Sequence, residues 1–387
     1  MSLHAPGVSG ASRQGARCLS RQTGVGLPDR DRPTASFRLG GSTMLRTAIL
    51  GVGWAGTRHV QAIRELARKV TVECLVDTDP DHLRAKAKEL DVNKTYTDYH
   101  DALADPDVDA VSICLPHALH CPIALEAASA GKHVLCEKPV AMTVAEATQM
   151  IDVAKAHHVR LYVAENVVYT SMSKTLREIV STGRYVGELT FASMVKGFRA
   201  LQYGYPGRRA WLSTPELGGT GTWMLHGIHS MAQLRFVLGE VETVYIREHR
   251  ASSFSRTDLE GTMSGLLTMA SGIHVSVVQS CETRVKGNLR GYAIHGDQGS
   301  LRAWREGYEV FGEQFSGHDE SRVFDYPQET LSSYAQEMEA FADYVAGVSV
   351  GPTTAESERR SLAIVQAGYE SARSGRPINL KERFGDL

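Results

Sequence analysis

The stretch that decides the fold is Leu45-Arg46-Thr47-Ala48-Ile49-Leu50-Gly51-Val52-Gly53-Trp54-Ala55-Gly56, in which an apolar run ends in three spaced glycines. A helical pattern follows over residues 57–68, so the glycines lie between a predicted strand and a predicted helix. In such a turn Gly51 permits the tight bend, Gly53 lets backbone approach a pyrophosphate, and Gly56 lets helix and strand pack closely. The N–H groups at the start of the helix favour a phosphate. The stretch therefore predicts a dinucleotide site, which includes Trp54 and Ala55.

A second strand-like run over residues 70–76 ends at Asp77, about twenty residues beyond the glycines. An acid at this place accepts hydrogen bonds from the ribose hydroxyls of adenosine and repels a 2′-phosphate. The neighbours Thr78 and Asp79 supply no cation that would attract such a phosphate. Arg84, on the following helix, would act against this preference if it reached the ribose. NAD(H) is therefore the predicted cofactor, and NADP(H) is less favoured.

The composition is that of a globular protein, with 42% hydrophobic and 22% charged residues in a chain of 387, long enough for two domains. A formal net charge of -2 gives no reason to expect nucleic acid or an anionic membrane as a partner. No apolar run in the sequence reaches the roughly 18 residues that span a bilayer. The six cysteines form no C-x-x-C pair, so reduced thiols in a cytoplasmic protein are expected.

Residues 1–43 differ from the rest of the chain, being rich in Gly, Ser, Arg and Pro and almost without apolar periodicity. They lack the apolar centre of a signal peptide. An organelle transit peptide is one interpretation, because such segments are rich in Arg and Ser. The favoured prediction is a disordered extension or translated leader, with the functional protein starting at Met44, a few residues before the first strand.

From Met44 to about residue 166, strand and helix patterns alternate, which predicts a doubly wound parallel sheet of six strands. Strand-like alternations then occur near residues 188–198, 241–249, 262–269, 272–280 and 291–295, with helices near 223–238, 330–346 and 355–373. Such runs of strands indicate an α+β domain with a largely antiparallel sheet. The predicted organisation is an extension (1–43), a Rossmann dinucleotide-binding domain (44–166) and an α+β domain (167–387).

The fifth strand of the predicted parallel sheet leads into Cys136-Glu137-Lys138-Pro139. Ligands of doubly wound sheets lie beyond the carboxyl ends of the strands, so this turn is expected to face the nicotinamide half of the cofactor. A lysine beside a cationic nicotinamide in a partly dry cleft has a lowered pKa, closer to the range useful for acid–base work. Lys138 is therefore a candidate proton donor or acceptor. A solvated lysine that closes the strand is an equally supported interpretation.

Taken together, these motifs resemble those of the Gfo/Idh/MocA family, which includes glucose-fructose oxidoreductase and inositol dehydrogenase. The shared order is the glycine turn, Asp77, Pro116-His117-Ala118-Leu119-His120, Glu137-Lys138-Pro139 and Ala164-Glu165-Asn166. The resemblance extends over residues 45 to about 380, and the Glu-Lys-Pro turn is its most specific sign. It implies an NAD(P) oxidoreductase that acts on a secondary alcohol of a sugar, polyol or related cyclic diol. It also implies a second domain whose open sheet serves substrate contacts and oligomerisation, as a homodimer or homotetramer.

The resemblance also assigns cofactor contacts and the second half of an active site. Besides the glycine turn and Asp77, the assigned cofactor contacts are Leu115, Pro116, His117, His120, Glu137, Lys138 and Glu165. For His117 and His120 the alternative is capping of a helix N-terminus. The family's Asp-x-Gly-x-His pattern appears as Leu225-His226-Gly227-Ile228-His229, in which the Gly and the final His match. His229 thereby inherits the role of proton acceptor from the substrate hydroxyl.

The Asp position of that pattern holds Leu225, so His226 or Glu165 is expected to orient His229. His226 also resembles the Thr-His-Gly segment of NAD-dependent glycosidases in the same superfamily. A redox-neutral glycosidase or lyase therefore remains an alternative to a dehydrogenase. A non-catalytic NAD-binding sensor is a third possibility, against which the pair Lys138 and His229 argues, because a sensor needs no acid–base pair.

Two further features bear on ligands. His226 and His229 are three apart at a predicted helix start and would suit a metal, but no third ligand has a recognisable spacing, so no metal is predicted. The Gly- and Pro-rich loop at residues 203–221, with Arg199 just before it, has the length of a functional loop. Arginines such as Arg208 and Arg209 would clamp a carboxylate or phosphate, and Trp211 would stack on a ring. Arg209 and Trp211 are predicted substrate contacts, together with the catalytic candidates Lys138, His226 and His229. For the loop, a surface segment with solvated charges is the alternative.

Overall fold

The structure, a computed structural model, describes residues 44–66, 68–197, 207–218, 221–251, 259–312 and 320–387. The extension predicted over residues 1–43 and the arginine at 199 lie outside the described residues. Within the described ranges, no helix is long and apolar enough to cross a membrane. Cys74, Cys114, Cys121 and Cys136 are free thiols.

The first sheet consists of six parallel strands in the order β3-β2-β1-β4-β5-β6. The strands are β1 (Leu45–Leu50), β2 (Val70–Val76), β3 (Thr95–Tyr96), β4 (Ala110–Ile113), β5 (His133–Glu137) and β6 (Leu161–Ala164). The helices between them are α1 (Trp54–Glu65), α2 (Pro80–Glu89), α3 (Tyr99–Ala104), α4 (His120–Ser129) and α5 (Val144–Ala156). The predicted doubly wound parallel sheet is confirmed. Its strand order reverses between β1 and β4, the switch point at which ligands of such sheets bind.

The turn between β1 and α1 explains where the helix begins. Gly51 has φ +89°, and a Cβ there would lie 2.6 Å from the carbonyl oxygen of Cys114. A Cβ at Gly56 would lie 2.0 Å from the carbonyl oxygen of Gly51, so the first helical turn packs directly on the strand end. Because the turn that contains Gly56 already packs on the strand end as helix, α1 starts at Trp54, three residues before the predicted start at Thr57.

The second sheet consists of nine strands in the order β14-β13-β12-β11-β7-β10-β9-β8-β15. The strands are β7 (Leu189–Gly197), β8 (Val241–His249), β9 (Thr262–Met269), β10 (His274–Ser280), β11 (Gly291–Gly296), β12 (Gly299–Ala303), β13 (Gly307–Gly312), β14 (Ser321–Asp325) and β15 (Ile378–Asn379). Only the pair β7 and β10 is parallel among the paired strands of this sheet in the described residues. The predicted large, mostly antiparallel sheet is confirmed.

Among the described residues, six α-helices follow the first sheet in the chain, some packed on the second sheet and one packed on the layer of the first. They are α6 (Ser171–Thr182), α7 (Pro215–Gly218), α8 (Ile228–Leu238), α9 (Ser333–Val345), α10 (Ala355–Ser374) and α11 (Leu380–Phe384). The helix predicted near 223–238 is divided, because a π-helical turn (Trp223–Gly227) precedes α8. Met338 and Phe341 of α9 are buried in the same cluster as Ile49 and Val60 of the first sheet's layer. The domain boundary after residue 166 stays a prediction.

Candidate active site

The glycine turn forms an open cradle at the carboxyl end of β1. A Cβ built at Gly53 would have no neighbouring heavy atom within 4 Å. The same residue is the N-cap of α1 and makes no side-chain cap, so the first N–H groups of the helix are not used by a capping side chain. An open approach together with N–H groups at a helix start fits a pyrophosphate, and a dinucleotide would be held here.

Asp77, at the end of β2, is engaged by protein groups. Its Oδ2 accepts a hydrogen bond from the Val52 N–H at 3.2 Å, and its Oδ1 accepts one from the Asp79 N–H at 3.1 Å. Nη2 of Arg208 lies 2.6 Å from both carboxylate oxygens, and Nη1 lies 2.9 Å from Oδ2 of Asp79. The neighbours Thr78 and Asp79 supply no cation to Asp77, but a distant residue does. The cation is Arg208, 131 residues further along the chain.

The segment that carries Arg208 continues across the end of β4. Gly207–Ser213 is a 3-10 helix, and α7 follows it directly. Nδ1 of His117 donates to the carbonyl oxygen of Gly218 at 2.8 Å, and the Trp211 ring lies edge-on to the His117 ring at 5.0 Å. The predicted substrate contact of Trp211 stays a prediction, and the side chain of Arg209 lies outside the described residues.

His120 is completely buried beneath this segment. Its Nδ1 lies 2.8 Å from the carbonyl oxygen of Pro139, and its Nε2 lies 2.9 Å from that of Leu115. Burial lowers the pKa of His120. Since both ring nitrogens face backbone, the ring ties the end of β4 to the turn after β5. Cofactor contact by His117, His120, and the neighbouring Leu115 and Pro116 stays a prediction.

Glu137, at the end of β5, is held by a histidine that sequence reasoning missed. His59 lies on the buried face of α1, with Nε2 3.2 Å from Oε1 of Glu137 and Nδ1 2.7 Å from Oγ of Ser112. Burial opposes charge on His59, but contacts with Cys114 and Glu137 raise its pKa well above the ordinary value. Burial likewise opposes charge on Glu137, and the hydrogen bond from His59 outweighs it, so the pKa of Glu137 is lowered. This buried ion pair fixes the backbone next to Lys138.

Lys138 joins the two halves of the site. Its Nζ donates to the backbone carbonyl oxygen of Leu225 at 3.1 Å, and the Lys138–Pro139 peptide bond is cis. Burial lowers the pKa of Lys138, while the charges of Glu137 and Glu165 oppose this shift. Leu225 belongs to the π-helical turn, a conformation that is rare and frequent at functional sites. The leucine at the family's Asp position thus contributes its backbone oxygen to the site.

His229, in the first turn of α8, is oriented by Glu165. Its Nδ1 lies 2.5 Å from Oε1 of Glu165, which is completely buried. Burial raises the pKa of Glu165 to about 8 and lowers that of His229 well below its ordinary value. Oε2 of Glu165 is buried and has no hydrogen-bond partner among the described residues. Of the two orienting partners expected for His229, Glu165 is the one that contacts Nδ1.

His226 is half-buried in the π-helical turn, next to these groups. Burial and the charges of Lys138 and His229 lower its pKa well below the ordinary value. In the described part of the chain, no group of three or more His, Cys, Asp or Glu side chains is arranged to hold a metal ion. The absence of a metal stays a prediction.

A polar cluster missed by sequence reasoning lies one helical turn beyond His229. Nζ of Lys196 donates to Oε1 of Gln233 at 2.9 Å, and the hydroxyl of Tyr292 donates to the same oxygen at 3.0 Å. The sequence signal that could have identified Lys196 is the alternation of buried and exposed residues along β7. Ala192 and Met194 lie on the same side of the strand as Lys196, and both are buried.

Comparison with known proteins places these features in one family. Models of the oxidoreductase family match twice, the NAD-binding Rossmann fold over residues 45–165 and the C-terminal alpha/beta domain over residues 186–380. The chain is 27% identical over 351 residues to the 1,5-anhydro-D-fructose reductase of Ensifer adhaerens, covering 89% of this chain and 97% of that protein. It is 25% identical over 354 residues to the myo-inositol 2-dehydrogenase of Thermotoga maritima, covering 88% of this chain and 100% of that protein.

Among solved structures, an oxidoreductase from Agrobacterium radiobacter, in complex with NAD+, L-tartaric acid and magnesium, has the same fold. Its TM-score is 0.76 at 22% identity, covering 88% of this chain and 100% of that chain. The predicted NAD-binding fold and the predicted family are therefore both confirmed. The chain belongs to the Gfo/Idh/MocA family of NAD-binding oxidoreductases.

Proposed function

We propose that the protein is an NAD-dependent dehydrogenase or reductase for a secondary alcohol of a sugar, polyol or related cyclic diol. The observation that carries the proposal is that Lys138 binds the π-helical turn just before His229, and that its charge acts on the pair Glu165 and His229. The relatives named as a reductase of an anhydro sugar and as a dehydrogenase of an inositol support the same class of alcohol.

The cofactor would be held by the glycine turn and by the end of β2. When bound, its nicotinamide supplies a hydride acceptor for oxidation or a hydride donor for reduction. Gly53 leaves room for the pyrophosphate, and the start of α1 presents N–H groups to it. Asp77, with Arg208 beside it, would hold the adenosine ribose.

Residues of the chain accept and return the hydroxyl proton of the alcohol. Oxidation of a secondary alcohol requires that its hydroxyl proton leave, so a base must lie within hydrogen-bond reach of the oxygen. Nε2 of His229 accepts this proton when the Nδ1–H donates to Oε1 of Glu165. The Lys138 ammonium donates to the same substrate oxygen and holds it in line with the cofactor. In reduction the same groups return the proton.

The test is a screen of cyclic polyols, sugars and glycosides with NAD, following both NADH formation and bond cleavage. Lys138→Ala and His229→Ala are each expected to lower turnover about a hundredfold or more, with the dissociation constant for NADH nearly unchanged. The exposed His157→Ala, at the end of α5, is the matched control and should behave as wild type. Near-normal turnover in His229→Ala, with loss in His226→Ala, would instead support a redox-neutral glycosidase. NADH binding without any turnover would support a sensor.

The proposal includes assembly of copies through the open face of the second sheet. The large exposed side chains on this face are Phe191, Tyr245, Leu266, Phe311 and Val323. Cross-strand registers such as Tyr245 with Leu266 align these residues on the face opposite the helices. Exposed apolar patches of this kind commonly mark interfaces. A homodimer or homotetramer is therefore expected by light scattering, and Phe191→Glu with Leu266→Glu should give monomers.

A further inference from the structure

Lys196 occupies a position that apolar residues normally take. It is the last residue but one of β7, and it lies on the same side of the strand as the buried Ala192 and Met194. Phe191, on the opposite side, is exposed. The lysine is therefore on the helix-covered face of the second sheet rather than on the open face.

The neighbouring strands and helix hold the Lys196 ammonium in one place. Gln233 of α8 accepts from Nζ at 2.9 Å, and its own amide nitrogen donates to Oγ of Ser173 at 2.7 Å. The Tyr292 hydroxyl bonds to the same Gln233 oxygen at 3.0 Å. Gln233 follows His229 by four residues, one helical turn, so the ammonium lies beside the proposed base.

This ammonium has spare donors and no anion near it. A lysine ammonium has three N–H donors, and one hydrogen bond, to a neutral amide, is found for Lys196 among the described residues. No described carboxylate lies within ion-pair distance of Nζ. Glu165 is the carboxyl whose charge acts on Lys196, but its pKa of about 8 keeps it mostly uncharged at neutral pH.

The other charges around Lys196 are positive. Burial and the charge of Arg290, which directly precedes β11, lower the pKa of Lys196 to about 8. Lys138 adds a further positive charge beside His229. Lys196 is half-buried, and its neighbours are a neutral amide and the face of the Tyr292 ring, whose centre lies 5.6 Å from Nζ, so an anion that reaches the ammonium stabilises it. The substrate side of the site is therefore electrostatically complementary to an anion.

We propose that Lys196 binds a carboxylate of the substrate, so that the substrates are hydroxy acids, namely sugar acids or carboxylated polyols oxidised at a secondary hydroxyl. This inference rests on the proposed function. The two remaining N–H donors are available to carboxylate oxygens, and the single charge of the ammonium balances that of one carboxylate. A phosphate dianion would require more donors, and Arg290 is the one further cation whose charge acts on Lys196 in the described residues.

The experiment compares acids with their neutral counterparts at equal concentration. D-glucuronate is paired with D-glucose, D-gluconate with D-glucitol, and D-glucose 6-phosphate serves as the phosphate arm. Initial rates of NADH formation give kcat/KM, and calorimetry with the enzyme–NADH complex gives binding whether or not turnover occurs. Wild type is expected to prefer the acid of a pair at least tenfold.

Three variants test whether Lys196 causes the preference for acids. Lys196→Met, which keeps the length of the side chain, should abolish the preference for acids, and Lys196→Arg should retain part of it. NADH binding and melting temperature verify that each variant is folded. Lys174→Met is the matched control, because Lys174 is an exposed lysine paired with Glu329, and it should keep the wild-type preference.

The outcomes that overturn this inference differ from the outcome that overturns the proposed function. The inference fails if wild type prefers the neutral partner or the phosphate, if no carboxylate binds the wild-type enzyme–NADH complex, or if Lys196→Met keeps the acid preference. Turnover of neutral polyols that depends on Lys138 and His229, without a preference for acids, would overturn this inference alone. Carboxylate binding through Lys196 without any NADH formation would overturn the proposed function and leave the carboxylate site standing.

Discussion

Replacement of Glu165 by Gln should remove a pH dependence that the structure builds into the site. The carboxyl is completely buried, and Oε1 lies 2.5 Å from Nδ1 of His229. Burial raises the pKa of Glu165 from an ordinary 4.5 to about 8. Glutamine keeps the shape and the oxygen near Nδ1 but has no proton to lose. The substitution therefore isolates the titration from the packing.

The size of the effect follows from this pKa. A carboxyl with a pKa of about 8 is about nine-tenths protonated at pH 7 and about nine-tenths ionised at pH 9. Ionised Glu165 stabilises the imidazolium that His229 becomes when it accepts the alcohol proton. The rate of oxidation should therefore rise about tenfold between pH 7 and pH 9, and the rate of reduction should fall over the same range.

Stability should respond to the same group with a defined sign. The pKa of Glu165 is higher in the folded than in the unfolded protein, so between about pH 4.5 and 8 the folded state binds more protons. The free energy of unfolding therefore falls as pH rises through this window, and less so in Glu165→Gln. Denaturant midpoints measured across the window provide this second readout.

The assay is kcat/KM for NADH formation from a neutral polyol, whose binding does not depend on the charge of Lys196, measured from about pH 6 to pH 10 for wild type and Glu165→Gln. The apparent pKa belongs to the pair Glu165 and His229 rather than to either residue. Since the pKa of Lys196 is also about 8, Lys196→Met is the control, and it should keep the rise near pH 8. A flat wild-type profile, or an unchanged rise in Glu165→Gln, would refute the assigned role of Glu165.

Three further predictions concern cofactor choice, the glycine turn and the N-terminal segment. Arg208→Ala removes the cation that neutralises Asp77, so the preference for NADH over NADPH in fluorescence titrations should increase about tenfold or more; an unchanged ratio would exclude a role for Arg208 in cofactor choice. Gly56→Ala should lower the free energy of unfolding by about 2 kcal/mol, because its Cβ would meet the Gly51 carbonyl oxygen, measured by urea titration. Gly53→Ala, with open space around its Cβ, should fold normally and weaken NADH binding. Equal stability losses in both variants would contradict the assignment of Gly56 to packing and of Gly53 to cofactor binding. A protein that starts at Met44 should keep full activity and melting temperature, and a loss of either would mean that residues 1–43 stabilise the remainder.

The sequence was sufficient for the parts of the fold that depend on local pattern. Gly51, Gly53 and Gly56 predict the turn because their roles are steric and lie within one short stretch. The nearly continuous apolar run over residues 108–115 predicts a strand covered on both faces, and all four residues of β4, which lies within it, are buried. The strands β12 to β15, which lie toward the two ends of the second sheet, were not predicted, since they are short and take their conformation from pairing with neighbours.

The sequence by itself thus determined a dinucleotide-binding parallel sheet followed by a largely antiparallel one, and it named Lys138, Glu165 and His229. Only the tertiary structure decided which partners these and other charged groups have. Arg208 lies on Asp77 from 131 residues away, and Glu165 reaches His229 across 64 residues. Periodicity records which face of an element is buried, but not which distant face it meets, and burial at those contacts sets the pKa values.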